Sequence, residues 1–347
     1  RRLWASSLTT WASAAVSREQ PIKIIHDDVA VTQARRATLA QVAKRANVSI
    51  TTASAVMRGT GRVSDQTRQR VLGVASAIGY RKHAGAVALR TGHNGVLGVV
   101  MEPGTFEDNP AHPKLFWPRL LNGLFQRLVE GGIGMALVSP TRPEPMAAFP
   151  LDALLLLGDP AHTLLFDIPF GMPVIGGIRG ASGVSASAGH DFARIARDCA
   201  DHLRAQGSSQ VVLVTTQDSI PTNELVIRAF QQALAGEGGG EAKHPSPLIV
   251  PPTREAVREA VSRGADTFVC LGENLDGLLA EVRERGLTIP NEVMVLSLSE
   301  GDRERVLDPT VSGVSFLGHE SGKMLGDMIV AGIGSGRFES ITLPHEF

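Results

Sequence analysis

Between Thr38 and Gly79 the apolar positions recur at helical spacing in three separate runs. Leu39, Val42, Ala43 and Ala46 make one apolar face. A Thr-x-x-Gln capping box at Thr38 and Gln41 precedes it, and Asn47, which tolerates the left-handed conformation, closes it. Ser49 is a good N-cap for a second helix, Ile50 to Met57, with Ala53, Val56 and Met57 available for packing and Gly59 and Gly61 as its end. Ser64 caps a third helix, Asp65 to Ile78, whose Val71, Leu72, Ala75 and Ile78 are expected to face inward; Gly79 stops it. Two helices joined by a tight turn, then a third, predict a helix-turn-helix.

From Gly95 the pattern changes to short apolar runs alternating with helical ones. "GVLGVVM" (95–101), "GMALVS", "ALLLLG", "MPVIGGI", "VVLVTT", "PLIVP", "TFVCLG" and "VMVLSLS" read as buried strands. "PRLLNGLFQRLVEGG" (118–132), with Pro118 in its first turn, "FARIARDCADHLRAQG" (192–207) and "ENLDGLLAEVRERG" (273–286) read as helices. This alternation predicts parallel sheets covered on both faces, and some 250 residues suggest two such lobes. The expected fold is a small all-α helix-turn-helix headpiece joined to an α/β core. Residues 1–34 fit neither pattern. Arg1-Arg2 and Ala12-Ser13-Ala14 suit a signal peptide, but Ser and Thr interrupt the apolar stretch. The preferred reading is a disordered extension, with an over-extended translation start as one origin for it.

Charge sharpens the division. The net charge of -1 conceals 11 Lys/Arg against one acid, Asp65, between Arg35 and His93, and 19 Lys/Arg against 31 Asp/Glu from Gly95 onward. A compact basic segment on an acidic body points to a polyanion as that segment's partner. The second helix of such a motif enters the major groove, with its N-terminal residues at base edges, while Arg58, Arg62, Arg68 and Arg70 supply positive charge. A solvated surface helix is the bland alternative, disfavoured because the basic residues coincide with the helical pattern. Only two cysteines, Cys199 and Cys270, exclude a disulfide framework and a cysteine-rich zinc site, and suit a reducing cytoplasm. No apolar run approaches the roughly 18 residues that span a bilayer.

The stretch "TLAQVAKRANVSITTASAVMRGTGRVSDQTRQRVLGVASAIGY" resembles the DNA-binding domain of the lactose/galactose repressor family. Thr38-Leu39, Val42-Ala43, Ala46, Val48-Ser49, Ser54, Val56, Gly59, Val63-Ser64, Thr67-Arg68, Val71 and Gly79-Tyr80 carry the match. "AEVRERGLTIPNEVMVLSLSE" resembles the family's late helix-strand unit, within a two-lobed core similar to periplasmic binding proteins. The resemblance implies that Ile50, Thr51 and Ala55 read bases, and that Ser49, Thr52, Ser54 and Arg58 touch phosphates, with Thr38 at the same surface. Ala55 stands where some members place a guanine-reading arginine, so about 1–3 kcal/mol of discrimination is absent there. Leu89 matches the leucine of a hinge helix that wedges between minor-groove base steps; packing on its own core is the alternative. Lys82, where the family usually has proline, and Gly85 weaken that helix. The implied domains are 35–83 for DNA binding, 84–94 for the hinge or linker, and 95–347 for a two-lobed effector-binding and dimerisation core.

In the cleft between the lobes the family grips sugars or nucleobases with an Arg, an Asn-Asp pair and an Asp. Here those positions fall on Val226, with Arg228 two residues late, on Leu271-Gly272, with Glu273-Asn274 just beyond, and on Ser299. Phe116 and Trp117 offer an aromatic wall and Asp191 or Asn274 a polar contact; equally, Phe116 and Trp117 read as core aromatics. An altered effector, or none, follows. A solute-binding protein without DNA would share the core but not the basic headpiece, and needs an export signal. "GIGSG" (332–336) is a weak phosphate-loop candidate, and neither a nucleophile elbow nor His-Glu-x-x-His occurs. The expectation is a cytoplasmic, homodimeric transcription regulator, a repressor, on double-stranded operator DNA, with no catalytic residues, cofactor or metal.

Overall fold

The computed structural model describes residues 37–80, 92–101, 115–138, 149–157, 171–177, 183–215, 221–236, 246–271, 275–299 and 310–347. The chain divides into two compact units, Arg1–His83 and Ala84–Phe347.

The first unit is built from its caps. In α1 (Leu39–Arg45) the Gln41 N–H donates to Thr38 Oγ1 at 3.3 Å, and the Thr38 N–H donates back to Gln41 Oε1 at 2.9 Å. Asn47 takes the left-handed conformation, φ 49°, and turns the chain. In α2 (Ile50–Arg58) the Thr52 N–H donates to Ser49 Oγ at 3.0 Å, and Gly59, φ 75°, ends the helix. Ser64 caps α3 (Asp65–Ala77). Val42, Ala43, Ala46, Ala53, Val56, Val71 and Ala75 form the core between the three helices. One expectation needs correction. Leu72 is 45% exposed and lies outside that core. Val71 already fills the inward position, and the next residue is turned about 100° away along a helix.

The second unit holds two parallel sheets. The first comprises β1 (Val96–Met101), β2 (Gly134–Val138), β3 (Ala153–Leu157), β4 (Val174–Gly176), β5 (Ala186–His190) and β11 (Ile341–Leu343), in the order β11-β5-β4-β3-β1-β2. The second comprises β6 (Val211–Val214), β7 (Leu248–Val250), β8 (Thr267–Leu271), β9 (Met294–Ser299) and β10 (Ser312–Ser315), in the order β10-β9-β8-β6-β7. The helices are α4 (Phe116–Glu130), α5 (Phe192–Ala205), α6 (Pro221–Ala235), α7 (Arg254–Ser262), α8 (Leu275–Glu284) and α9 (Gly318–Ser335). Each sheet buries both faces with the two-residue period of a strand. Ala153, Leu155 and Leu157 join one cluster with α4 and α9, while Leu154 and Leu156 join another. In the second sheet Leu213 packs with Phe230, and Val212 and Val214 with Phe268 and Val282.

Glycines let α4 and α9 touch backbone to backbone. A Cβ on Gly123 would lie 2.1 Å from the His319 carbonyl oxygen, and one on Gly322 would lie 2.0 Å from that of Leu120. The chain crosses between lobes at Asp191, returns at Phe316–Leu317, and after β11 crosses again to pair Glu346 with Ser315 in an antiparallel bridge. The sequence reading overlooked β5, β10 and β11. "GIGSG" proves to be the C-terminal turn of α9, closed by Gly336 at φ 71°, so it opens no helix and cradles no phosphate.

Candidate DNA-binding face and interlobe site

The burial of Ala53 and Val56 fixes how α2 is rotated in the headpiece. Helical spacing then places Thr51, Ser54, Ala55 and Arg58 on the opposite side, with Ile50 at its flank in the first turn; Ile50, Thr51 and Arg58 are exposed and Ser54 and Ala55 half-buried. The polar groups around this face are arranged by one another. The Ser49 and Thr52 hydroxyls lie 2.8 Å apart in a hydrogen bond, and the Arg58 guanidinium donates to Ser54 Oγ. Thr38 stands exposed at the start of α1. Lys44 and Arg45 in the last turn of α1, with Arg62 and Arg70, are exposed cations. Of the residues singled out for DNA, Leu89 lies outside the described residues.

At the crossings between lobes three phenylalanine rings surround one histidine. Phe116 and Trp117, in the first turn of α4, meet edge to face at 5.1 Å between centroids. Phe116 reaches across to Phe316 at 6.1 Å, and His190 lies 4.8 Å from Phe316, 5.9 Å from Phe116 and 6.2 Å from Phe192. Phe116 and Trp117 also pack on the first lobe's core, as the core reading of these two rings expects. Both ring nitrogens of His190 are buried without a hydrogen-bond partner. Burial first, and then the neighbouring His345, push its pKa down to about 4, and this outweighs the nearby Leu343 and Pro344 backbone, which favours the proton. The ring is therefore neutral near pH 7.

Asp191 is exposed, and its Oδ1 accepts the Arg194 N–H at 3.0 Å, capping α5. Asn274 lies outside the described residues, as do Gly272 and Glu273. Val226 is buried in the second lobe's core, 5% exposed, and Arg228 turns to solvent to pair with Glu224 at 3.2 Å. His190, Phe192 and Phe316 were missed from sequence, although each sits where a strand ends at a crossing, and "HDF" between a small-residue run and an amphipathic helix was a usable signal. Burial pushes the Cys199 thiol up to about 12, which leaves it a packing residue. Among the described residues no group of three or more His, Cys, Asp or Glu side chains converges to hold a metal ion, and no helix is long and apolar enough to cross a membrane.

Two family descriptions match the chain: "Bacterial regulatory proteins, lacI family" over residues 38–83, and "Periplasmic binding protein-like domain" over residues 200–345. The HTH-type transcriptional regulator DegA of Bacillus subtilis is 36% identical over 104 residues, a match that spans 30% of this chain and 28% of that one. The HTH-type transcriptional regulator GntR of Pseudomonas aeruginosa is 24% identical over 314 residues, 85% of this chain and 89% of that one. In fold, the chain resembles the lac repressor dimer bound to operator and the anti-inducer ONPF, with a TM-score of 0.68 at 15% identity over 90% of this chain and 97% of that one. A solute-binding protein alone would not carry the first of these domains. The chain is a DNA-binding transcription regulator, with a lacI-family helix-turn-helix joined to a periplasmic binding protein-like core.

Proposed function

We propose that the chain is a cytoplasmic, homodimeric repressor that binds an operator through the outer face of α2 and answers to a ligand less hydroxylated than a sugar. The observation that carries the DNA assignment is that face itself: Thr51, Ser54, Ala55 and Arg58 lie opposite the buried Ala53 and Val56, with the exposed Ile50 at their flank, in a segment with ten more cations than acids. Ile50, Thr51 and Ala55 reach base edges. Ser49, Thr52, Ser54 and Arg58 hold phosphates, and Thr38 adds the capped start of α1. Residues 84–94 serve as the hinge or linker, with Leu89 as the wedge between minor-groove base steps. Selecting bound DNA from a random pool tests the assignment. One sequence should be enriched, and its affinity should fall steeply with salt as phosphate contacts release counterions. A fragment beginning at Gly95 that binds the selected site as tightly would refute it.

A homodimer is supported by apolar side chains left in solvent on the first lobe. Phe125 and Val129 on α4 are 53% and 57% exposed, and Leu137 on the edge strand β2 is 71% exposed. The lac repressor structure is itself a dimer on operator. The ligand assignment rests on Phe116, Trp117 and Asp191 beside the crossings, with Asn274 as a further contact, and on the burial of Val226 where the family's gripping arginine is expected. Thermal melting against a panel of sugars and less polar metabolites tests it; a large upward shift with an ordinary hexose or pentose would overturn it. The chain performs no catalysis in this reading.

A further inference from the structure

The outer face of α2 has an unusual inventory for a surface that reads bases. Arginine or lysine pairs with guanine, asparagine or glutamine with adenine, a carboxylate with cytosine, and an apolar group with the thymine methyl. Ile50, Thr51, Ser54, Ala55 and Arg58 include no amide and no carboxylate. Arg58 is the last residue of the helix, about 12 Å along the axis from Ile50. Its guanidinium is held against Ser54, away from the N-terminal turn that enters the groove. Thr51 suits either member of a pair and discriminates poorly. Ala55 presents one methyl, half-buried, with Gly61 close beside it.

That leaves Ile50. It is 57% exposed and takes no part in the core formed by the three helices, so packing does not account for it. It sits in the first turn, directly after the Ser49 cap, where base edges are nearest. Water contacts its branched side chain in the free protein, and a thymine C5-methyl is the one apolar feature in the major groove that can cover it.

We propose that the chain recognises its site through thymine methyl groups, with Ile50 as the specificity-determining residue. This rests on the assignment of α2 to the DNA.

The test uses the full chain and the site it selects from a random pool. Thymines are replaced one at a time by deoxyuridine, which removes the C5-methyl and leaves every hydrogen-bonding edge unchanged. We expect one position in each half-site to bind about fourfold more weakly without its methyl. Ile50→Ala should bind the thymine site more weakly and lose the preference for thymine over uracil there, while Ile50→Val keeps part of it. Because Ile50 is outside the core, Ile50→Ala should melt like the parent and keep its salt dependence; a headpiece damaged in general would lose phosphate contacts and show a shallower slope. Equal binding of thymine and uracil at every position, or a preference that survives Ile50→Ala, would overturn the inference and leave DNA binding intact. A chain that enriches no sequence would remove the DNA assignment and this inference together.

Discussion

Gly322→Ala is the sharpest single-residue test of how the first lobe is held together. The added Cβ would stand 2.0 Å from the Leu120 carbonyl oxygen and 2.8 Å from the Leu124 nitrogen, both backbone atoms that cannot rotate away. Restoring an ordinary contact needs α4 and α9 to part by more than about 1 Å, and a gap of that size forfeits a quarter to a half of each contact's attraction. Leu120, Leu124, Leu325 and Ile329 pack in the cluster at this interface. If each makes roughly twenty contacts across it, the lost attraction is about 5 kcal/mol. The alanine recovers about 1 kcal/mol of helix propensity, so the net destabilisation is about 4 kcal/mol. In a domain of this size that corresponds to a fall in Tm of about 8–16 °C, read by calorimetry or circular dichroism. Gly73→Ala is the control. It lies in α3 with nothing within 4 Å of its missing Cβ, so it should stabilise the headpiece by about 1 kcal/mol. If Gly322→Ala melts within a degree of the parent, the helices separate without cost and the reasoning fails.

Three further outcomes follow from the geometry. His190 is held neutral with a pKa of about 4, so the unfolded chain binds the extra proton between about pH 6.5 and 4; stability should fall by up to about 3 kcal/mol as pH drops through that window. His190→Phe should show a correspondingly smaller fall in a pH series of melts, and identical pH profiles would contradict it. The Asp152 carboxylate accepts the backbone N–H groups of Asn94, Gly95 and Val96 at 2.6, 2.5 and 2.9 Å, pinning the start of β1. Asp152→Ala should cost about 2 kcal/mol in urea unfolding and raise amide exchange at residues 94–96. Ser49→Ala removes the α2 cap and should destabilise the headpiece by about 1 kcal/mol, with weaker operator binding in a gel-shift assay.

What was legible in the sequence was what is decided locally. The Thr38–Gln41 box, the Ser49 and Ser64 caps and the glycine stops each act within one turn, and the structure ends α1, α2 and α3 within a residue or two of where those signals stand. Leu72 was misplaced for the opposite reason. Its inward or outward position depends on a few tens of degrees of helix rotation, set by which neighbours arrive, and Val71 takes the inner place. β5 escaped notice because Ala186, Ser187, Ala188 and Gly189 lack the branched and aromatic side chains by which strands announce themselves. At Gly189 the missing side chain has a tertiary cause: a Cβ there would fall 2.0 Å from the Gly177 carbonyl oxygen.

The two candidate sites differ in legibility for the same physical reason. The proposed DNA-reading face belongs to one helix, so the spacing that buries Ala53 and Val56 also brings Ile50, Thr51, Ser54, Ala55 and Arg58 near one another, and these candidates can be named from a nine-residue string. The interlobe site draws on distant stretches of the chain: Phe116 opens α4, His190 ends β5 and Phe316 follows β10. His190 and Phe316 meet because β5 and β10 end at the same junction, and the "HDF" signal at His190 does not say which distant rings reach it. The same separation governs what each site can do. In the proposed reading, an exposed side chain on α2 can change affinity for a base pair without disturbing the headpiece core. His190 touches Phe116 of the first lobe and Phe192 and Phe316 of the second, so a change at this ring alters contacts between the lobes. If operator selection and ligand response reside at these two places, as proposed, a substitution in one should leave the other measurable.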